Sequence, residues 1–338
     1  MRVPRWLAWL LIAIAMFTAG LLRQSHDLTP TSPFLAPAVG SLLFACVVFL
    51  VLVALRERQI GPAPGPGVRL GSLTPLMLML LVEKWFSSNF YQPAFVFLAP
   101  DTLTAEAADA WFRLICGVGL ILVVVALAAF SRPARAFVTS RLGGWKLVTG
   151  TTAAAAAVLA AGVALAAVAR AAGSSVGIVP PDTYGPWNVV VLGQSAIALG
   201  EETYYRGLLL GELLRLGPRL GLASPSLRRW VALGMTSLMF GMEHLGPASS
   251  FADGLRQVVF AIALGSLLGL LTLVTRNLWF SASMHAWINF LLLGAAPGLA
   301  YGAGRAQLPP GATVSLALIG AFVAAFVLQR RRQSTVNS

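Results

Sequence analysis

With 57% hydrophobic and only 11% charged residues, this chain of 338 residues falls outside the range of soluble proteins, in which about 25% of residues carry charge. Its 24 Lys+Arg against 12 Asp+Glu give a net charge of +12, yet the basic residues are scattered over connecting segments and form no single stripe, which argues against a nucleic-acid partner. The apolar residues come in blocks of about twenty, the length that crosses a hydrocarbon layer of about 30 Å, so the expected fold class is all-α: a multi-spanning transmembrane helical bundle in a lipid bilayer.

About ten spans are predicted, near 6–22, 37–55, 71–92, 109–130, 147–169, 187–211, 230–245, 255–275, 278–295 and 312–329. The first is longer and more apolar than a cleavable signal, and "FTAGLLRQSH" offers a poor cleavage site, so it is read as a retained helix. His26 follows it in an external loop, where a surface role suffices. Glu83 and Lys84 interrupt the third span, and the seventh is short. "GPAPGPG" (61–67) and "GIVPPDTYGP" (177–186) read as turn-forming connectors. The alanine-rich fifth span suits close packing of membrane helices. Cys46 and Cys116 lie in separate spans, which points to packing and away from a disulfide or a thiolate metal site. By content the chain divides into 1–186, membrane helices with no assignable role; 187–298, which holds the chemistry; and 299–338, a last span with a basic cytoplasmic tail.

Positive charge is distributed unevenly between the two inferred faces. With the N-terminus in the cytoplasm, 17 of the 24 Lys+Arg fall on cytoplasmic segments and six near the opposite face, while Arg206 lies within a span. This bias follows the positive-inside rule and places both termini in the cytoplasm. Arginine outnumbers lysine 22 to 2 in an alanine- and glycine-rich chain, which fits a GC-rich bacterial genome and hence a bacterial cytoplasmic membrane.

Few ionisable residues lie inside the spans, and each costs about 2.5–3.5 kcal/mol on insertion scales. Three fall in "GEETYYRG" (200–207), directly after thirteen uncharged residues. On an α-helix Glu202 and Arg206, four apart, share a face and can pair, while Glu201 sits about 100° round and is freer to meet a reactant. Two adjacent carboxylates in low dielectric resist ionising together, which raises one toward the range of a general base. An ion pair that only fixes packing explains this segment equally well. The histidines add weight to chemistry. His244 closes the seventh span with Phe240 one turn before it, and His285 lies in the ninth with Asn289 one turn after it. A lone membrane histidine is usually a packing residue; two, with an asparagine and a carboxylate pair, make a polar cluster.

The three motifs EExxxR (Glu201, Glu202, Arg206, followed by Gly207), FxxxH (Phe240, His244) and HxxxN (His285, Asn289), in that order, resemble the CPBP family over about 187–295. That family comprises type II CAAX prenyl endopeptidases and bacterial bacteriocin-processing or immunity proteins, the Abi-like group. Tyr205 stands where many members carry phenylalanine.

The resemblance implies an intramembrane endopeptidase that hydrolyses a peptide or membrane-protein substrate. Glu201, assisted by His244, would activate water; His285 and Asn289 would donate to the oxyanion; Glu202 would be held by Arg206 or share the water. Phe240 and Arg206 would orient the others. No cofactor is expected. Members have been described as metalloproteases, so zinc on Glu201, Glu202, His244 and His285 is the alternative, although HExxH is absent ("MEHLG"). Glu243, beside His244, is read as solvated or orienting. Two other classes are weighed: a non-catalytic scaffold or immunity protein, and a proton-coupled transporter. The absence of paired broken helices speaks against transport.

Overall fold

A computed structural model describes residues 2–27, 68–86, 105–142, 187–244 and 251–292. The predicted spans 37–55, 147–169 and 312–329 lie outside these residues. What is described is almost wholly helical: α1 (Arg5–Asp27), α2 (Leu70–Phe86), α3 (Ala105–Phe130), α4 (Arg132–Leu142), α5 (Trp187–Glu202), a π-helical stretch (Thr203–Leu209), α6 (Leu210–Leu216), α7 (Pro225–Met242), α8 (Phe251–Thr275) and α9 (Leu278–Leu292). One departure from all-α is an antiparallel pairing of β1 (Arg2–Val3) with β2 (Val68–Arg69), which sets Arg2 opposite Arg69 and Val3 opposite Val68. Both valines are buried.

Two described stretches are long and apolar enough to cross a membrane, Ala110–Ala129 in α3 and Gln257–Thr275 in α8; shorter apolar stretches occupy Arg5–Met16 and Gly71–Glu83. Local chemistry explains several helix ends that the periodicity misplaced. The seventh helix starts at Pro225, not near 230, because Ser224 caps it by accepting from the Leu227 amide and proline fits its first turn. Arg276, at φ 54°, ends α8 in the left-handed region, and Asn277 caps α9 by accepting from the Phe280 amide at 3.2 Å. Glu83 does not break α2, which carries it buried through to Phe86. The backbone at His26 belongs to the end of α1 and not to a loop.

The chain forms two compact units. The first comprises residues 1–93, 122–138 and 204–269. Here α1 packs on α2 and α7, and α6 packs on α2 and α7, around Ala8, Ile12, Leu76, Met79 and Leu208. The hydroxyl of fully buried Tyr204 donates to the Met79 carbonyl at 2.8 Å. Tyr204→Phe should therefore lower stability by about 1 kcal/mol, the usual net worth of such a bond. An unshifted thermal midpoint in detergent would show that this bond contributes nothing.

Glu212, fully buried, accepts from Ser131 Oγ at 2.8 Å and from Arg215 Nε at 2.9 Å; Arg215 Nη2 contacts the same carboxylate and donates to the Ser72 carbonyl at 2.7 Å. Arg215 lies beyond the predicted span 187–211. It lies on α6 because the helix runs past 211 to Leu216, and its charge is spent on Glu212.

The second unit comprises residues 94–121, 139–203 and 270–338. Its described part is α9 packed along α5, with α3 beside α5 through Ala110, Val189, Trp111 and Leu114. Backbones approach closely here: a methyl group on Gly117 would overlap the main chain of Ala196 and Ile197. Cys116, one residue earlier, is buried in packing as expected; Cys46 is outside the described residues. Trp279 Nε1 donates to the Leu142 carbonyl at 2.7 Å, and Thr272 bonds Ser281 at 3.0 Å near the α8–α9 link.

Candidate active site

The two carboxylates close α5. Immediately after them the backbone widens from i→i+4 to π geometry over Thr203–Leu209. Thr203 accompanies the change: its hydroxyl bonds back to the carbonyls of Leu199 at 2.7 Å and Gly200 at 3.0 Å, acceptors that lie where the regular ladder ends. The predicted span 187–211 is thus three segments. The face-sharing of Glu202 with Arg206 is argued from α-helical phase, and the residues from Thr203 onward are π-helical.

What the structure places against Glu202 is His285. Glu202 is fully buried, and its Oε1 lies 3.0 Å from His285 Nδ1. Oε2 of Glu201 lies 3.5 Å from Nε2 of the same ring. The imidazole, 2% exposed, therefore bridges the carboxylates, with Glu202 on the sealed side and Glu201 at 23% exposure on the open one. A neutral imidazole has one N–H and can serve one carboxylate at a time; serving both requires an imidazolium or a proton on one glutamate. His285 was expected to donate to an oxyanion, but both its nitrogens face carboxylates. Asn289, the other expected donor, lies one turn further along α9 and is half-buried.

In the first unit Arg206, 1% exposed, sets its guanidinium 4.3 Å from the Phe240 ring centroid and 5.6 Å from that of Tyr205. Tyr204, Tyr205, Phe240 and His244 form a run of rings, with successive centroids 4.8, 5.3 and 4.7 Å apart. The first two contacts are edge-to-face, the geometry that ring quadrupoles favour. His244 Nδ1 lies 2.9 Å from the Phe240 carbonyl. A carbonyl only accepts, so Nδ1 carries the hydrogen and Nε2 of the neutral ring is left as the acceptor. The four-residue spacing of FxxxH supplies both the ring stacked on His244 and the carbonyl that fixes its tautomer.

Glu201, Glu202 and His285 are thus brought together in one unit, and Arg206, Phe240 and His244 in the other. Glu243, read from the sequence as solvated or orienting, is buried. The sequence reading missed Thr203 and Tyr204 and noted Tyr205 only as a replacement for phenylalanine; the available signal was the pair of aromatics wedged between the carboxylates and the arginine. A zinc site fits this arrangement poorly. Each His285 nitrogen is directed at a carboxylate oxygen instead of a point shared with both, and among the described residues no three His, Cys, Asp or Glu side chains are grouped to hold a metal ion.

Residues 184–291 match the family described as type II CAAX prenyl endopeptidase Rce1-like. No curated protein and no solved structure matches the chain.

Proposed function

From the Rce1-like domain at residues 184–291, a domain of a protease family, we propose that the chain is an intramembrane endopeptidase in which a glutamate activates the hydrolytic water. The observation that carries this reading is the bridge Glu201–His285–Glu202, with one carboxylate sealed and the other accessible. Glu201 takes a proton from water as its oxygen attacks the scissile carbonyl carbon, and the tetrahedral oxyanion forms. As the C–N bond breaks, that proton passes to the departing amine, and the second product leaves as a carboxylate. His285 supports the change of charge by moving its own proton toward Glu201 or Glu202. Asn289 is the oxyanion donor, because its amide N–H is a donor at any pH while both His285 nitrogens face carboxylates. His244, with Nε2 as acceptor, is the second base that the CPBP resemblance implies. No serine, cysteine or threonine nucleophile is needed. Because the donor set fits zinc poorly, no step is routed through a metal.

The substrate is a peptide or membrane-protein segment, and a chain of bacterial origin makes prenylated CAAX proteins poor candidates for it. The direct test is mass spectrometry of peptide-library cleavage by the purified protein, with a chelator arm. New termini in both arms are expected. Products lost on chelation and restored by zinc would replace the proposed water activation with a metal-bound one, and no products together with proton flux in liposomes would favour the transporter. Intact protein with neither activity would favour a scaffold or immunity role.

The same reading places the protein as multi-pass in a bacterial cytoplasmic membrane with both termini inside and 172–186 outside, on the 17-to-6 charge bias. With the native cysteines replaced, a Ser334→Cys tail should resist impermeant thiol reagents in intact cells. Labelling without permeabilisation would reverse the orientation.

A further inference from the structure

One end of the first unit gathers guanidinium groups that the catalytic reading does not use. β1 and β2 set Arg2 opposite Arg69. Ser72 Oγ donates to the Arg69 carbonyl at 2.7 Å, and Arg215 donates to the Ser72 carbonyl, so β2 is tied to α6. The 217–222 turn after α6 is closed by Leu222 N to Gly217 O at 2.8 Å and is fastened to α1 by Trp9 Nε1 to Leu220 O at 3.2 Å. The Arg5 side chain lies over Gly221, whose φ of +93° needs a glycine, and the Arg228 stem lies over Gly217. Arg219 stands exposed on the same turn.

Among the described residues little opposes this charge. Partial burial holds the Arg219 guanidinium below its ordinary pKa, and positive Arg215 and Arg69 lower it further; the carboxylate that acts against them is Glu212. Glu212 is fully buried and already taken by Arg215 and Ser131. Such a field favours an anion.

Position says which anion. Arg5 and Arg69 stand where the apolar stretches Arg5–Met16 and Gly71–Glu83 begin, so the patch lies where hydrocarbon gives way to headgroups. Trp6 follows Arg5 directly and Trp230 lies two residues past Arg228; they are 67% and 61% exposed, and exposed tryptophan is the usual residue of that layer. We propose that this end of the first unit binds the phosphate of anionic lipid headgroups, with Arg5, Arg69 and Arg219 supplying the charge and Trp6 and Trp230 seated in the interfacial layer. The proposal rests on membrane residence and not on peptidase activity.

The test is native mass spectrometry of the full chain in detergent with phosphatidylglycerol, phosphatidylcholine or inorganic phosphate added separately. Wild type should retain phosphatidylglycerol over phosphatidylcholine. Removing one surface arginine costs about fivefold in affinity for an anionic lipid, so Arg219→Ala should lose about that and the triple Arg5→Ala, Arg69→Ala, Arg219→Ala on the order of 100-fold. The triple lysine variant keeps the charge and should keep most of the lipid, and Arg135→Ala, exposed on α4, should keep all of it. Equal retention of the two lipids, or undiminished phosphatidylglycerol on Arg219→Ala, would overturn the proposal. Displacement of phosphatidylglycerol by equimolar inorganic phosphate would overturn the lipid assignment in favour of a soluble anion.

Discussion

Glu201→Gln should cut peptide cleavage by about 10²–10⁴-fold while leaving the thermal midpoint nearly unchanged. Glutamine keeps the shape of the side chain but cannot take a proton from water, and position 201 is open enough to tolerate the change. Glu202→Gln should behave differently: its carboxylate is fully buried, and its Oε1 faces His285 Nδ1, so activity and stability should fall together. The two variants thus separate a residue that acts on substrate from one that holds its neighbour. Asn289→Ala should be strongly impaired with a normal midpoint, and His26→Ala silent. Groups that act as one unit are not additive, so Glu201→Gln with His244→Ala should be little worse than the worse single variant. Full cleavage by folded Glu201→Gln would remove the general base from the mechanism.

Arg206→Ala should lower folded yield and stability by about 3–5 kcal/mol. Among the described residues Arg206 is the largest fully buried side chain, and its guanidinium stands 4.3 Å over the Phe240 ring. A desolvated cation–π contact contributes about 2 kcal/mol, and the cavity left by a large side chain adds a comparable loss. Arg206→Lys should recover only part, because a point ammonium lacks the flat guanidinium that lies on a ring. Arg206→Met fills the volume without the charge: recovery close to wild type would assign the residue to packing, and none would assign it to electrostatics. An alanine variant with normal yield and midpoint would show that Arg206 has no internal role.

The carboxylates and histidines were legible because the membrane makes ionisable side chains expensive, so each one kept is conspicuous. Periodicity also located the helices that carry them. It could not expose the π stretch: every residue from 202 to 213 is buried, so no polar–apolar alternation marks which face is which. With that phase hidden, the sequence offered Arg206, four residues on, as a partner for Glu202, and could not show the contact with His285, 83 residues away in sequence. Glu212 and Arg215 were missed for a related reason. Two charges three residues apart look like a connector until α6 is seen to continue beneath them. The tautomer of His244 depends on a carbonyl, which no residue identity announces.

A π stretch spends one more residue than an α-helix needs for the same run of hydrogen bonds. Seen genetically, Thr203–Leu209 behaves as an insertion retained inside a helix. Loss of a single codon there would remove no motif residue if it fell on Leu208 or Leu209, and the protein would still read as intact. The helix could then close as α throughout with the segments on either side kept close to their phase, because the π turn had absorbed the extra residue. What the deletion would remove is the widened turn itself and the places it gives Thr203–Leu209, so the length of this segment is under constraint as well as its residue identities.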